Sequence, residues 1–245
     1  MKQVNLTIDI GNSTTKYAIF DRFQIVHGGI IESMQKKFFA TLLNKFSITS
    51  IIVSSVGELL SKDIVEMIEL NSVKLIDFDH NTRLPFVNLY KTPQTIGKDR
   101  LAAIAGALYH YPQENILVID AGTAITYDII TDKREFIGGN ISLGIKMRFM
   151  ALNHFTKRLP LVESRDSFEF IGTNTIEAIE SGVLNGVLNE VDGMINSCNN
   201  RYKPLRTVFT GGDTNFFDSN LKNRIFAHPN LVLEGLNYIL EYNVE

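Results

Sequence analysis

Two aspartates in this chain end apolar runs in the same way. Asp9 closes the alternation Val4, Leu6, Ile8 and is followed by Ile10 and Gly11. Asp120 closes the run Ile116 to Ile119 and is followed by Ala121 and Gly122. The glycine two residues after each Asp permits a backbone that aims its amides outward. Hydroxyl side chains come next: Ser13, Thr14 and Thr15 in the first copy, Thr123 and Thr126 in the second. Turns built from amides and hydroxyls suit phosphate oxygens. The Asp itself would repel phosphate, but it can hold a cation, or a water on a cation, that the phosphate also holds. Lys16, five residues beyond Gly11, adds the compact positive charge that phosphoryl transfer uses. A single Asp in such a turn would be an ordinary capping carboxylate; two copies and a lysine point to phosphate.

Two further clusters could act beside these turns. Gly97-Lys98-Asp99-Arg100 opens a helical stretch whose apolar stripe is Leu101, Ile104, Ala105 and Leu108. At 100° per residue Asp99 lies about 160° from Leu101, so it points away from the core. It could take a proton from a substrate hydroxyl, and Arg100 could clamp a carboxylate. The plainer reading is a first-turn Asp favoured by the helix dipole, with an exposed Arg next to it. Gly211-Gly212-Asp213 follows a β-branched run; two glycines would let the backbone approach a flat ligand such as an adenine, although the same triplet makes ordinary turns.

The elements that must carry these residues alternate between strand and helix. Val4 to Ile10, a polar turn and Lys16 to Phe20 predict a hairpin. Residues 33–47, 58–70, 95–110, 144–158, 175–196 and 231–243 predict helices, and residues 48–53, 73–78, 116–119 and 207–210 predict buried strands. Asn174 should cap the 175–196 helix, with Glu177 at the reciprocal position. That helix should bury Ile176, Ile179, Val183, Val187, Val191 and Met194, and Gly138-Gly139 should turn the chain. A shift of 111 residues carries Asp9, Gly11 and Thr15 onto Asp120, Gly122 and Thr126. This reads as duplication of one α/β unit, residues 1–113 and 114–245, with the two halves facing a cleft.

Composition narrows the class. The 245 residues carry 24 basic and 27 acidic side chains, a formal charge of −3, with 44% hydrophobic content. Folding a chain of this length buries roughly 70% of its unfolded surface, so no staple is needed. The balanced charge argues against a nucleic-acid partner held by bulk electrostatics. The lone Cys198 excludes a disulfide framework and a multi-cysteine zinc site, and reads as a small packing residue on a helix. No stretch approaches the roughly 18 apolar residues of a membrane span. Asp9 sits inside the N-terminal apolar run, where a signal peptide carries no carboxylate, so the chain reads as cytoplasmic. There is no G-x-x-x-x-G-K-[ST], no G-x-G-x-x-G after a strand and no H-E-x-x-H. Gly139 to Lys146 only imitates the first, with Ile145 in the lysine slot.

Residues 9–16, Gly97 to Arg100, Asp120 to Thr126, Gly138-Gly139, Leu159-Pro160 and Gly211 to Asp213 occur in an order and spacing that resembles the type III pantothenate kinases. The resemblance spans essentially the whole chain. Gly97-Lys98-Asp99-Arg100 is its most specific part, since the Asp-x-Gly turns are shared across the acetate and sugar kinase, heat-shock 70 and actin superfamily.

That resemblance implies two duplicated ribonuclease-H-like (actin-like ATPase) α/β domains, a homodimer, and transfer of the ATP γ-phosphoryl group to the hydroxyl of pantothenate at the start of coenzyme A synthesis. By position, Asp9, Ile10, Gly11, Asn12, Ser13, Thr14, Thr15 and Lys16 become the ATP phosphate loop, and Asp99 becomes the proton acceptor. Tyr90, Gly97, Lys98, Asp99, Arg100 and Thr175 would contact pantothenate, and Thr123 would contact ATP. Asp120 would bind a monovalent cation, potassium or ammonium, while Mg²⁺ travels with the nucleotide. Ser13 stands where the family usually has Thr, which keeps the hydroxyl, and Leu143 stands where Pro often precedes the glycine at Gly144. The residues alone leave open a kinase of the same superfamily acting on a sugar or another small acid, and a non-enzymatic regulator that kept the fold.

Overall fold

The computed structural model describes residues 3–11, 14–55, 57, 60–163 and 168–244. In chain order the elements are β1 (Gln3–Ile10), β2 (Thr15–Asp21), β3 (Gln24–Ile31), α1 (Lys36–Lys45), β4 (Ser47–Ser55), α2 (Lys62–Leu70), β5 (Lys74–Asp77), β6 (Val87–Asn88) and α3 (Lys98–His110). They continue as β7 (Asn115–Ala121), β8 (Ala124–Ile130), β9 (Glu135–Leu143), α4 (Ile145–Phe155), α5 (Thr175–Arg201), β10 (Leu205–Thr210), α6 (Thr214–Asn220), β11 (Phe226–Ala227) and α7 (Leu231–Val244). Two compact units result: Met1–Pro112 with Arg134–Phe136 and Asn230–Glu245, and Gln113–Lys133 with Ile137–Pro229. The C-terminal helix α7, placed with the second half on sequence grounds, therefore groups with the first unit.

The first unit holds a five-stranded sheet in the order β3-β2-β1-β4-β5. The β1–β2 and β2–β3 pairs are antiparallel, while β1–β4 and β4–β5 are parallel. Val4, Leu6 and Ile8 pack with Phe39 and Leu42 of α1 and Ile64 and Ile68 of α2. The alternation of β1 would ordinarily mean one solvated face. Instead Asn5 and Thr7 on the other face are buried too, because α7 packs there. Their polarity is satisfied locally: Asn5 Nδ2 donates to Asn237 Oδ1 at 3.0 Å, and Thr7 Oγ1 donates to the Ala18 carbonyl at 3.4 Å.

The same covering explains α3, which is buried all round from Arg100 to Leu108 rather than along one stripe. It crosses α7 at a pair of glycines. A Cβ on Gly235 would lie 1.8 Å from the Ala102 carbonyl oxygen, and one on Gly106 would lie 2.3 Å from that of Leu231. Only hydrogens fit at such a crossing. The start of β9, Glu135 and Phe136, also belongs to this unit and pairs in parallel with β6.

The second unit repeats the plan. Its strands run β11-β10-β7-β8-β9, with β7–β8 antiparallel and β7–β10 and β10–β11 parallel. Strand for strand this is the order of the first sheet, so the duplication read from the 111-residue shift is a duplication of topology. The core of the unit joins Leu117 and Ile119 of β7 to Ile179, Val183, Val187 and Val191 of α5 and to Phe149 of α4.

Asn174 caps α5 as expected: its Oδ1 accepts the Glu177 amide at 3.1 Å. Glu177 reaches back to the backbone at Asn174, as predicted, and one residue further, accepting the Thr173 amide at 2.8 Å. Two local expectations are corrected. Ile176 is exposed, not part of the buried stripe. Gly138-Gly139 does not turn the chain, because β9 runs straight through it. Gly138 takes φ 127, and a Cβ on Gly139 would sit 2.0 Å from the Tyr127 carbonyl oxygen, so the pair allows close approach within the sheet. Cys198 is partly buried against this core, and burial pushes its thiol up.

Candidate phosphoryl-transfer site

In the first unit the site begins at the ends of β1 and β4. Asp9 is in register with Lys16 on β2 and with Ser54 on β4. The turn after β1 closes through the Gly11 amide, which donates to the Thr14 carbonyl at 3.0 Å. Gly11 and Thr14 are exposed, Ile10 and Lys16 half-buried, and Thr15 buried. Asn12 and Ser13 lie outside the described residues.

Burial is the main reason the Asp9 carboxyl is pushed from 3.8 up to about 6, and repulsion from Asp99 adds to it. A hydrogen bond from Ser54 and the Lys16 charge pull the other way. Asp99 and Asp9 therefore belong to one electrostatic site although 90 residues separate them.

Asp99 stands on the first turn of α3, half-exposed. Gly97 makes room for it: a Cβ there would lie 2.3 Å from Asp99 Oδ1. The same oxygen accepts the Arg100 amide at 2.8 Å. Arg100 is not the exposed residue of the plainer sequence reading; it is buried, only 6% exposed. Its guanidinium carbon lies 5.7 Å from the centre of the Tyr90 ring, which stacks on Phe136 at 6.0 Å with planes 10° apart. Tyr90, Gly97, Asp99 and Arg100 are thus brought together, and Lys98 beside them is half-buried.

The second unit presents the counterpart. Asp120 is in register with Thr126 on β8 and with Thr210 on β10, as Asp9 is with Lys16 and Ser54. Three residues, Gly122 to Ala124, separate the last register pair of this hairpin, Ala121 and Ile125, against four in the first. The turn is clamped from two sides. Gly144 donates its amide to the Thr123 carbonyl at 3.1 Å, and Asp213 donates its amide to the Ala121 carbonyl at 3.0 Å. A Cβ on Gly144 would meet the Gly122 carbonyl oxygen at 2.2 Å, and one on Gly211 would meet Asp120 Oδ1 at 2.5 Å. Gly211 also takes φ +97. Burial raises the Asp213 carboxyl. Thr123 is exposed.

Thr175 is on a different element from that turn. It is the exposed first residue of α5, on a groove of about 770 Å³ with Arg148, Phe155 and Ile179. Among the described residues no helix is long and apolar enough to cross a membrane.

Sequence reasoning passed over Ser54 and Thr210, and it placed Gly144 in a glycine loop without its clamp on the Thr123 turn. The signal for the first two was present, because each is a hydroxyl residue at or near the end of a β-branched run parallel to an Asp-bearing strand.

Known proteins bear on this geometry. The Campylobacter jejuni structure of a Baf family protein superposes with a TM-score of 0.59 at 24% identity, covering 98% of each chain. The ROK hexokinase of Thermus thermophilus superposes with a TM-score of 0.51 at 11% identity, covering 99% of this chain and all of that one. These likenesses show the fold alone, two duplicated ribonuclease-H-like α/β domains. The type III pantothenate kinase of Christiangramia forsetii is 43% identical over 244 residues, 98% of this chain and 99% of that protein. The Bacteroides fragilis protein of the same name is 41% identical over 240 residues, covering 98% of each. The family profile for type III pantothenate kinase matches residues 5–197. With identity at that level along nearly the full length of both proteins, the chain belongs to the type III pantothenate kinase family.

Proposed function

We infer that this protein transfers the γ-phosphoryl group of ATP to the primary hydroxyl of pantothenate, giving phosphopantothenate and ADP, the step that opens coenzyme A synthesis. Family membership supports the reaction. The observation that carries the residue assignment is the coupling of Asp9 to Asp99, two carboxylates on separate elements that repel within one site.

Asp99 takes the acceptor's hydroxyl proton as its oxygen bonds to phosphorus and the bond from phosphorus to the ADP oxygen breaks. Arg100 and Tyr90 hold the acceptor, the guanidinium being suited to a carboxylate such as pantothenate carries. Residues 9–16 take the triphosphate, with Lys16 offsetting its charge. The desolvated Asp9 carboxylate fits a cation, which would occupy the place its raised proton affinity marks. Mg²⁺ there supplies charge neutralisation on the phosphates when bound. In the second unit Asp120, set between two hydroxyl-bearing strands, would hold potassium or ammonium, and Thr123 would touch the nucleotide. Thr175 would contact the acceptor from its own groove.

The reading extends to a cytoplasmic homodimer. Phe155, Phe170 and Ile171 are each at least 70% exposed. Two adjoining apolar grooves of about 770 and 430 Å³ share Leu143, Ala151 and Phe155. A second copy would cover this face.

The test is ADP release measured with pantothenate against a panel of sugars, with and without potassium. Turnover with pantothenate that rises with potassium is expected. Turnover with a sugar alone would move the assignment to a sugar kinase, and none with any acceptor would leave a regulator.

A further inference from the structure

The turn Asp120 to Thr123 owes its shape to Gly144, and Gly144 has its own support. Arg148 Nε donates to the Leu143 carbonyl at 2.9 Å. The same guanidinium donates through Nη2 to Ser142 Oγ at 3.1 Å and to Glu190 Oε2 at 2.5 Å. The Arg148 amide donates to the Gly144 carbonyl at 3.1 Å. Glu190, on α5, is held in turn by the Tyr127 hydroxyl, which donates to its Oε1 at 2.9 Å. Tyr127 is buried on β8, the strand that leads out of the Asp120 turn. The loop runs from β8 through α5 and α4 to the β9–α4 bend, and from Gly144 back to Thr123.

Leu143 lacks the fixed φ that a proline would give this bend. Its carbonyl is pinned by a side chain instead. The planar guanidinium presents donors in a fixed fork and can serve three acceptors at once, which an ammonium on a flexible stem cannot do in the same geometry. Glu190 is lowered, against its partial burial, by hydrogen bonds from Arg148, Ser142 and Tyr127.

We propose that Arg148, braced by Glu190 and Tyr127, is a positioning residue for the nucleotide-binding turn of the second unit: it fixes Gly144, whose amide fixes Thr123. The proposal rests on the assignment of that turn to ATP. It adds a function for residues on α4, α5 and β8 that lie outside the turn itself.

The experiment compares the parent, Arg148→Lys and Arg148→Ala for the affinity of a non-hydrolysable ATP analogue by calorimetry without acceptor, and for thermal unfolding. Arg148→Lys keeps a charge beside Glu190 but loses the fork. The expected result is a melting temperature close to the parent with analogue binding about tenfold weaker for Arg148→Lys, and weaker still for Arg148→Ala. Parent-like binding by Arg148→Lys overturns the proposal and leaves Arg148 a structural ion pair. A parent that binds the analogue but transfers nothing to pantothenate overturns the acceptor assignment, while the Arg148 comparison still decides this one. A parent that binds no analogue overturns both.

Discussion

Asp99, on the first turn of α3, lies close enough to Asp9, at the end of β1, for its charge to raise the proton affinity of Asp9. The family resemblance assigns the two residues different work, and the fold makes them neighbours. In the proposed phosphoryl-transfer site their repulsion would strengthen the preference of Asp9 for a cation.

The sign of that preference gives a stability prediction. The folded-state value of about 6 stands above the unfolded 3.8, so between those values the folded chain binds more protons. Stability contributed by this group therefore falls as pH rises from 4 through 6, and the penalty is fully present above 6. In metal-free protein Asp9→Asn removes it. The variant should melt several degrees above the parent at pH 8, by about 3 kcal/mol, and match it near pH 4. A melting curve at pH 8 with Asp9→Asn below the parent would contradict this account.

Asp99→Asn removes the proposed proton acceptor and one negative charge together. Turnover should fall by about 10²–10⁴-fold while the affinity for the ATP analogue survives. The same change should lower the Asp9 carboxyl, visible as a downward shift of its titration by NMR. Near-normal kcat would show that Asp99 is not the base.

Arg100→Lys tests the buried guanidinium over Tyr90. A lysine keeps the charge but loses the guanidinium's contact over the Tyr90 ring and the two-pronged grip on a carboxylate. The KM for pantothenate should rise by about tenfold or more, with the KM for ATP unchanged. Equal rises in both would place Arg100 outside the acceptor's grip.

Phe155, 82% exposed on α4, tests the dimer face. Phe155→Glu places a charge where a second copy would bury an aromatic ring. Light scattering after gel filtration should find a dimer for the parent and monomer for the variant at micromolar concentration. A monomeric parent would remove the homodimer from the reading.

The parts of the site that were legible in the sequence are those built from neighbouring residues. Asp9 and Lys16 face each other because a short hairpin joins them, and the capping of α5 needed only residues 173–177. The repeated strand order followed from matching Asp9 to Asp120, since the strands behind them carry the same alternation of apolar residues and turns.

The rest depended on pairings far apart in the chain. Ser54 becomes a partner of Asp9 only through a parallel pairing, which no local pattern encodes. Arg100 looked exposed because its helix seemed to have one apolar side; α7, some 130 residues later, covers the other. Gly138-Gly139 looked like a turn because local propensity favours one, and close packing on Tyr127 gives the pair another use.

The placement of α7 has a consequence for synthesis. The helix that seals Asn5, Thr7 and the Gly106 crossing of α3 is drawn from Leu231–Val244. The first unit, whose strands leave the ribosome before those of the second, cannot close its interior until Leu231–Val244 emerges. The second unit, whose strands and helices all precede Asn230, has its full complement before then. The half that carries Asp9 and Asp99 is started before the other and finished after it.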